Sequence, residues 1–209
     1  MADSDLNRRP IAARGSGLAQ RSAAALARTA ITPNQISMAS IVFAGIGAAA
    51  LVWWPTWAGL ILCAVCVQLR LVCNLLDGMV AVEGGKGSIF GRIYNEFPDR
   101  LTDTLFIVAL GYACGMPWLG WLGALLAVAT AYVRVFGGSL GLAQDFRGPL
   151  AKAHRMAVLT VGCIAGAVEL RWHPDGYALL AAAIVIAAGS LLTCIARTLA
   201  IAKLLRAQT

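Results

Sequence analysis

Charge is what this sequence has least of. Of its 209 residues 13% are Asp, Glu, Lys or Arg, against about 25% in an ordinary soluble domain. Between Ile31 and Val82 only Arg70 and Asp77 are charged, and residues 104–133 carry no charge. Such stretches cannot be faces of soluble amphipathic helices, which excludes an ordinary cytosolic fold. Acid is scarcer than base, 10 residues against 17, for a net charge of +7. In a soluble protein that balance would point to nucleic acid; here it is better explained by Lys and Arg held on one side of a bilayer, with no nucleic-acid partner. No secretory leader is visible, because residues 1–30 are rich in Arg, Ala and Ser. The first apolar run, which follows Thr32-Pro33-Asn34, is expected to be its own insertion signal. A phosphate loop is lacking too: Gly84-Gly85-Lys86-Gly87-Ser88 has neither the full motif nor a preceding strand. The six cysteines (Cys63, Cys66, Cys73, Cys114, Cys163, Cys194) all fall in apolar runs, and Cys63-x-x-Cys66 has no further ligands beside it. They are expected to be packing residues, without zinc or redox chemistry.

What is present is six apolar stretches long enough to cross a bilayer, at 34–54, 57–82, 88–115, 118–141, 150–170 and 175–198. Open strands cannot span lipid, so the expectation is an all-α integral membrane protein with six transmembrane helices. It divides into an N-terminal interfacial segment (1–30), the transmembrane domain (31–200) and a tail (201–209). Five basic residues precede the first span, Lys86 and Arg92 lie in the second hairpin, Arg147, Lys152 and Arg155 around the fourth, and Arg197, Lys203 and Arg206 at the C-terminus. Only Arg171 lies opposite, so the positive-inside rule puts both termini in the cytoplasm, in a bacterial-type inner membrane. All six tryptophans (Trp53, Trp54, Trp57, Trp118, Trp121, Trp172) map to the other side, where an aromatic belt sits. Residues 17–30 read equally as a weakly amphipathic surface helix or a solvated basic tail. Glu169, Arg171, His173 and Asp175 read as a solvated loop.

The informative segment runs from Arg70 to Asp103, because ionisable groups inside spans are costly and mark function. On the second helix Arg70, Asn74 and Asp77 share a face, with Gly78 and Ala81 beside them leaving room for a ligand. On the third, Ser88, Gly91, Asn95 and Asp99 form a stripe that Asp103 continues, and Glu96 lies about 60° of helix rotation from Asp99. The short connection Glu83-Gly84-Gly85-Lys86-Gly87 makes these helices antiparallel neighbours with stripes that can face each other. Converging carboxylates and amide oxygens suit a hard divalent cation, and such a cation suits a phosphate substrate. The competing reading is structural, with Arg70 and Arg100 neutralising Asp77, Asp99 and Asp103 to hold the helices together.

Written as a string, Asn74-x2-Asp77-Gly78-x2-Ala81-Val82-x8-Gly91-x3-Asn95-x3-Asp99 resembles the signature of the CDP-alcohol phosphatidyltransferases, D-x2-D-G-x2-A-R-x8-G-x3-D-x3-D, with every spacing preserved. Thr32-Pro33-Asn34, Ser88 and six helices with a cytoplasmic N-terminus agree. The resemblance implies a homodimeric membrane enzyme moving a phosphatidyl or related phosphoalcohol group from a CDP-linked donor, such as CDP-diacylglycerol, to an acceptor alcohol with release of CMP. It implies Mg²⁺ or Mn²⁺ at Asn74, Asp77, Asn95 and Asp99, with Asp99 the base. It also implies close approach of cytidine and diphosphate at Gly78, Ala81, Ser88 and Gly91.

The departures are two asparagines for aspartates and Val82 for the arginine, which reduce the motif's charge from −4 to −2. Glu96 and Asp103 are the carboxylates that could reinforce the metal, and Arg70 could replace a metal or the lost arginine. Lys152 and Arg155 read either as a basic lip for the donor or an anionic acceptor, or as anchors to membrane lipid headgroups. Arg134 needs a partner, a carboxylate of the cluster or a lipid phosphate. Gly111-x3-Gly115, Gly137-x3-Gly141 and Gly162-x3-Gly166 permit close helix approach within a protomer or between two. Two alternatives stand beside the transferase: an inactive relative binding nucleotide-lipid or a partner protein, and a small transporter. Against the latter, the charges collect at one face and no inverted hydropathy repeat is visible.

Overall fold

The computed structural model describes residues 16–82, 84–172 and 176–207. Arg8, Arg9, Arg14, Glu83, His173, Asp175 and the side chain of Arg92 lie outside the described residues. Among those described the chain is all-α: α1 Gly17–Ala27, α2 Pro33–Trp53, α3 Trp57–Val82, α4 Gly91–Ala113, α5 Pro117–Ser139, α6 Lys152–Glu169 and α7 Ala178–Arg206.

Local chemistry sets the helix starts. Thr32 caps α2 in a capping box, its Oγ1 accepting from the Gln35 amide (3.3 Å) while its own amide donates to Gln35 Oε1 (2.9 Å). Pro33 follows in the first turn, where its missing N–H costs nothing. Pro117 opens α5 in the same way. Helix α4 begins at Gly91, later than expected, because Ser88–Gly91 closes a turn, the Gly91 amide donating to the Ser88 carbonyl at 2.9 Å. Ser88 is therefore off the helical stripe; it is exposed and receives the Asn34 side-chain amide at 3.5 Å. Helix α7 runs to Arg206, well past the expected end at 198, with Lys203 and Arg206 in its last turn complementing the helix dipole.

The six long helices close a ring in the order α2, α3, α6, α7, α5, α4 and back to α2. Helices α3 and α4, expected as direct neighbours, rarely approach by backbone, and charged side chains bridge them. The core inside the ring includes Leu51, Cys63, Val67, Phe106, Leu110, Met156, Leu159 and Ile186. Helix α1 lies on the end of α3, burying Ala19 and Ala23 with Met79 and Val80. This gives residues 17–27 an ordered seat on the bundle. All six tryptophans are exposed at or beside the α2–α3, α4–α5 and α6–α7 connections. The cysteines are free, three buried and three partly buried.

Four helices, α2, α3, α5 and α7, are long and apolar enough to cross a membrane. Helices α4 and α6 fall outside that set because α4 carries the polar stripe and α6 carries Lys152, Arg155 and Glu169. The small-residue pairs serve contacts inside the protomer: a Cβ on Gly111 would lie 2.5 Å from Gly120 Cα, and one on Gly162 2.7 Å from Ala182 Cβ. Gly115 and Gly141 instead supply positive φ (73° and 79°) just past α4 and α5.

Gly120→Val, whose Cβ would meet Gly111 Cα and the Val108 carbonyl at 2.9 Å, is expected to cost about 1–3 kcal/mol or more. Thermal unfolding in detergent should read this as a lowered Tm. Gly45→Ala, with nothing within 4 Å of the added carbon, should leave the Tm equal or higher.

Candidate active site

Arg70 is fully buried on α3 and organises the centre of the bundle. Its Nη2 donates to Asp103 Oδ1 (2.7 Å), Thr102 Oγ1 (2.8 Å) and Asp99 Oδ1 (3.4 Å), and its Nε to Thr102 Oγ1 (2.9 Å). The α4 stripe that receives it, Asp99, Thr102 and Asp103, is one helix face at i, i+3, i+4. Asp103 is shared: Arg155, from the first turn of α6 and 1% exposed, donates Nη2 to its other oxygen at 3.0 Å. Arg155 Nη1 also reaches the Leu150 carbonyl at 3.0 Å.

Around Asp99 a second set converges. The Asn74 side-chain amide donates to Asp99 Oδ1, and the Lys152 ammonium pairs with Asp99 Oδ2. Arg100 Nη2 stands 4.0 Å from the same oxygen. Asp77, 5% exposed, accepts the Ser37 hydroxyl on Oδ2 at 2.6 Å, while its Oδ1 is buried with no hydrogen-bond partner. Pro98 interrupts the backbone ladder of α4 just before Asp99: it has no N–H for the Tyr94 carbonyl, yet the helix continues.

Several expected residues are placed differently. Glu96 is exposed and turned away from the cluster, pairing with Arg134 at 2.6 Å and Arg100 at 3.3 Å. Arg134 thereby has its partner, extended by Gln144 (3.1 Å) and the Phe146 ring (5.3 Å). Arg155 is not a surface lip, because it is buried against Asp103. Neither Glu96 nor Asp103 presents carboxylate oxygens free to reinforce a metal. Asn95 is exposed, Gly91 has open space beside it apart from Ser88 Oγ, and Val82 is 61% exposed. Gly78 and Ala81 are half-buried on α3 beside Asp77.

Sequence reasoning missed Ser37, Thr102 and Arg197. Thr102 was findable from its place between Asp99 and Asp103, whereas nothing local ties Ser37 to a carboxylate 40 residues away. Arg197, counted with the C-terminal cations, is 5% exposed and holds the Arg147 carbonyl (2.9 Å) and the Thr130 carbonyl (2.7 Å). Its position inside the last apolar run was the available signal.

The donor set can be weighed against a divalent cation. Among the described residues no three His, Cys, Asp or Glu side chains are grouped to hold one. Asp99 and Asp103 have their oxygens engaged by Arg70, Asn74, Lys152 and Arg155. Asp77, with one orphaned oxygen, fits such an ion; Mg²⁺ typically takes one or two carboxylates and completes its shell with water and substrate phosphate.

No family model matches the chain. Curated relatives do: a phosphatidylinositol phosphate synthase of Mycolicibacterium smegmatis is 28% identical over 192 residues, covering 86% of this chain and 81% of the relative. An archaetidylinositol phosphate synthase of Aeropyrum pernix is 30% identical over 138 residues, covering 65% of this chain and 69% of the relative. In fold, the crystal structure of Mycobacterium tuberculosis phosphatidylinositol phosphate synthase with CDP-DAG bound superimposes with a TM-score of 0.71 at 18% identity, over 89% of this chain and 94% of that one. The same enzyme in complex with manganese and citrate gives 0.71 at 20% identity, over 88% of each chain. The chain is thus an integral membrane protein of the phosphatidyltransferase type. It belongs to the CDP-alcohol phosphatidyltransferase family.

Asp103→Asn would leave Arg70 and Arg155 buried with a weakened partner, and breaking a buried pair costs about 3–5 kcal/mol. Glu96→Gln, at an exposed pair, should cost under about 1 kcal/mol. Unfolding in detergent should therefore separate the two variants clearly, with Asp103→Asn far less stable.

Proposed function

We propose that the protein transfers a phosphatidyl, or related phosphoalcohol, group from a CDP-linked donor such as CDP-diacylglycerol to an acceptor alcohol, releasing CMP, in phospholipid synthesis. The observation that carries this reading is the meeting of Asn74 with Asp99, two residues of the spaced motif on different helices, with Asp77 of the same motif buried one turn along α3 from Asn74. The inositol-phosphate-lipid synthases among the relatives support it and make inositol phosphate an acceptor to try early.

In this reading all six long helices span the membrane, the residue 1–30 segment and the tail are cytoplasmic, and residues 31–200 form the transferase domain of a homodimer in a bacterial inner membrane. The site lies at the cytoplasmic boundary, within reach of soluble nucleotide and headgroup. Gly78, Ala81, Ser88 and Gly91 line the donor's approach.

Asp77, with Asn74 beside it, would hold a Mg²⁺ or Mn²⁺ ion, which when bound neutralises diphosphate charge. Asn95 adds an amide within reach of solvent. Asp99 accepts the proton of the acceptor hydroxyl, whose oxygen forms the new bond to the phosphatidyl phosphorus. The bond from that phosphorus to the CMP oxygen breaks, and CMP leaves with the electron pair. Arg70 holds Asp99 from behind and orients the carboxylate.

A second reading, a relative that binds nucleotide-lipid without chemistry, is favoured by Asn74, Asn95 and the exposed Val82 at the motif's arginine position. CMP release separates the two. Purified protein with CDP-diacylglycerol, Mn²⁺ and a panel of acceptors (inositol phosphate, glycerol phosphate, serine, glycerol) should form CMP with one acceptor class. Asp99→Ala should lose about 100-fold or more, in the range of a general base. Binding of CDP-diacylglycerol without CMP from any acceptor favours the second reading.

A further inference from the structure

The charges around Asp99 exceed what joining helices requires. Asp103 is already satisfied by two buried arginines, Arg70 and Arg155. Asp99 nevertheless draws in the Lys152 ammonium from the first residue of α6 and the Asn74 amide from α3, with Arg70 at 3.4 Å and Arg100 at 4.0 Å. An aspartate at position 74, in the same place, would set carboxylate against carboxylate. Two such groups in contact cannot both stay ionised without a cation between them. Asn74 removes the need by donating a hydrogen bond where aspartate would repel, and Lys152 supplies a fixed positive charge on the opposite oxygen.

At Asp99 and Asp103 the negative charge is met without an added ion. Asp99 pairs with Arg70 and Lys152, with Arg100 at 4.0 Å, and Asp103 pairs with Arg70 and Arg155, whereas Asp77 has the Ser37 hydroxyl and no ion pair among the described residues. The one carboxylate oxygen in the set that is buried without a partner belongs to Asp77.

We infer that Asn74 and Lys152 together replace a divalent cation at Asp99, so that the protein holds a single ion per protomer, at Asp77. This rests on the transfer reading for its catalytic meaning and on side-chain geometry for its charge assignment. Lys152 is then a positioning cation: it holds Asp99 Oδ2 in place and lends positive charge to the diphosphate side of the site. The same service from a second metal ion would cost the protein a bound water shell and demand further carboxylates, which this sequence does not put there.

Frozen-solution EPR of the full-length protein in detergent with Mn²⁺ and CDP reads the ion count directly. Wild type should give one isolated six-line Mn²⁺ signal per protomer, lost in Asp77→Asn and retained in Asp99→Asn. The combined variant Asn74→Asp, Asn95→Asp, Lys152→Met should give an exchange-coupled pair. A coupled pair in wild type, loss of the signal in Asp99→Asn, or no bound ion in wild type overturns the inference, even if the triple variant fails to fold. In the CMP assay, Lys152→Met should lose about 100-fold or more, as removal of a preorganised electrostatic group does. Lys152→Arg should retain part of the activity, and added Mn²⁺ should partly restore Lys152→Met. A Lys152→Met defect that neither arginine nor Mn²⁺ relieves overturns the positioning role. If wild type releases no CMP with any acceptor, the transfer reading fails, and the Mn²⁺ spectra still decide the charge assignment.

Discussion

The Arg70–Asp103–Arg155 chain of charges is the interaction on which the rest of this protein depends. It joins α3, α4 and α6 at the centre of a ring in which α3 and α4 seldom meet by backbone. In hydrocarbon an isolated charge is prohibitively costly, so three charges become tolerable only when each finds its partners in fixed geometry. Thr102 and the Leu150 carbonyl take up further guanidinium hydrogens, while Arg70 Nη1 and Arg155 Nε stay buried without a partner. The network contributes less to net stability than to specificity, because a shifted α4 would strand two arginines in the core. Everything at Asp99 is then one helical turn from a fixed point.

The same charges explain which helices look like membrane spans. Helices α2, α3, α5 and α7 stay largely apolar because they bring few charged groups to the centre; α3 contributes Arg70 and Asp77, with Asn74 between them. Helices α4 and α6 carry the complementary groups and so fall short on composition alone. Their exposed faces still carry large apolar side chains: Leu101 and Tyr112 on α4, Val161, Ile164 and Val168 on α6. A composition test averages the two faces of a helix, so inward charges such as Asp99 and Asp103 on α4 and Arg155 on α6 lower the score of the whole segment.

Much of the architecture was legible because periodicity and length act locally. All six apolar runs begin within three residues of a helix start, and Thr32-Pro33 with Gln35 spells out a capping box that the structure builds. The polar face of α3 was equally legible from i, i+4, i+7 spacing. What the sequence could not disclose is which charge meets which. Glu96 and Asp99 are three residues apart, yet one faces Arg134 near the surface and the other the buried centre. Arg155 looked like a lip because cations near a helix start usually serve the membrane surface; only the position of α6 against α4 turns it inward. Pairings between residues 40 to 60 positions apart are set by helix rotation, which a single sequence leaves free.

Asn74 gains meaning only from those pairings. Taken alone, it is a loss of metal-binding charge. Placed in the ring, Asn74 is a donor to Asp99 at the point where the Lys152 ammonium also arrives, so the missing negative charge and the added positive charge act on the same carboxylate. Losing the first without gaining the second would leave Asp99 weakly held. Gaining the second while keeping an aspartate at position 74 would leave a carboxylate pair competing for one ammonium. The arrangement is therefore coupled, and a sequence that changes one of these positions is under physical pressure to change the other.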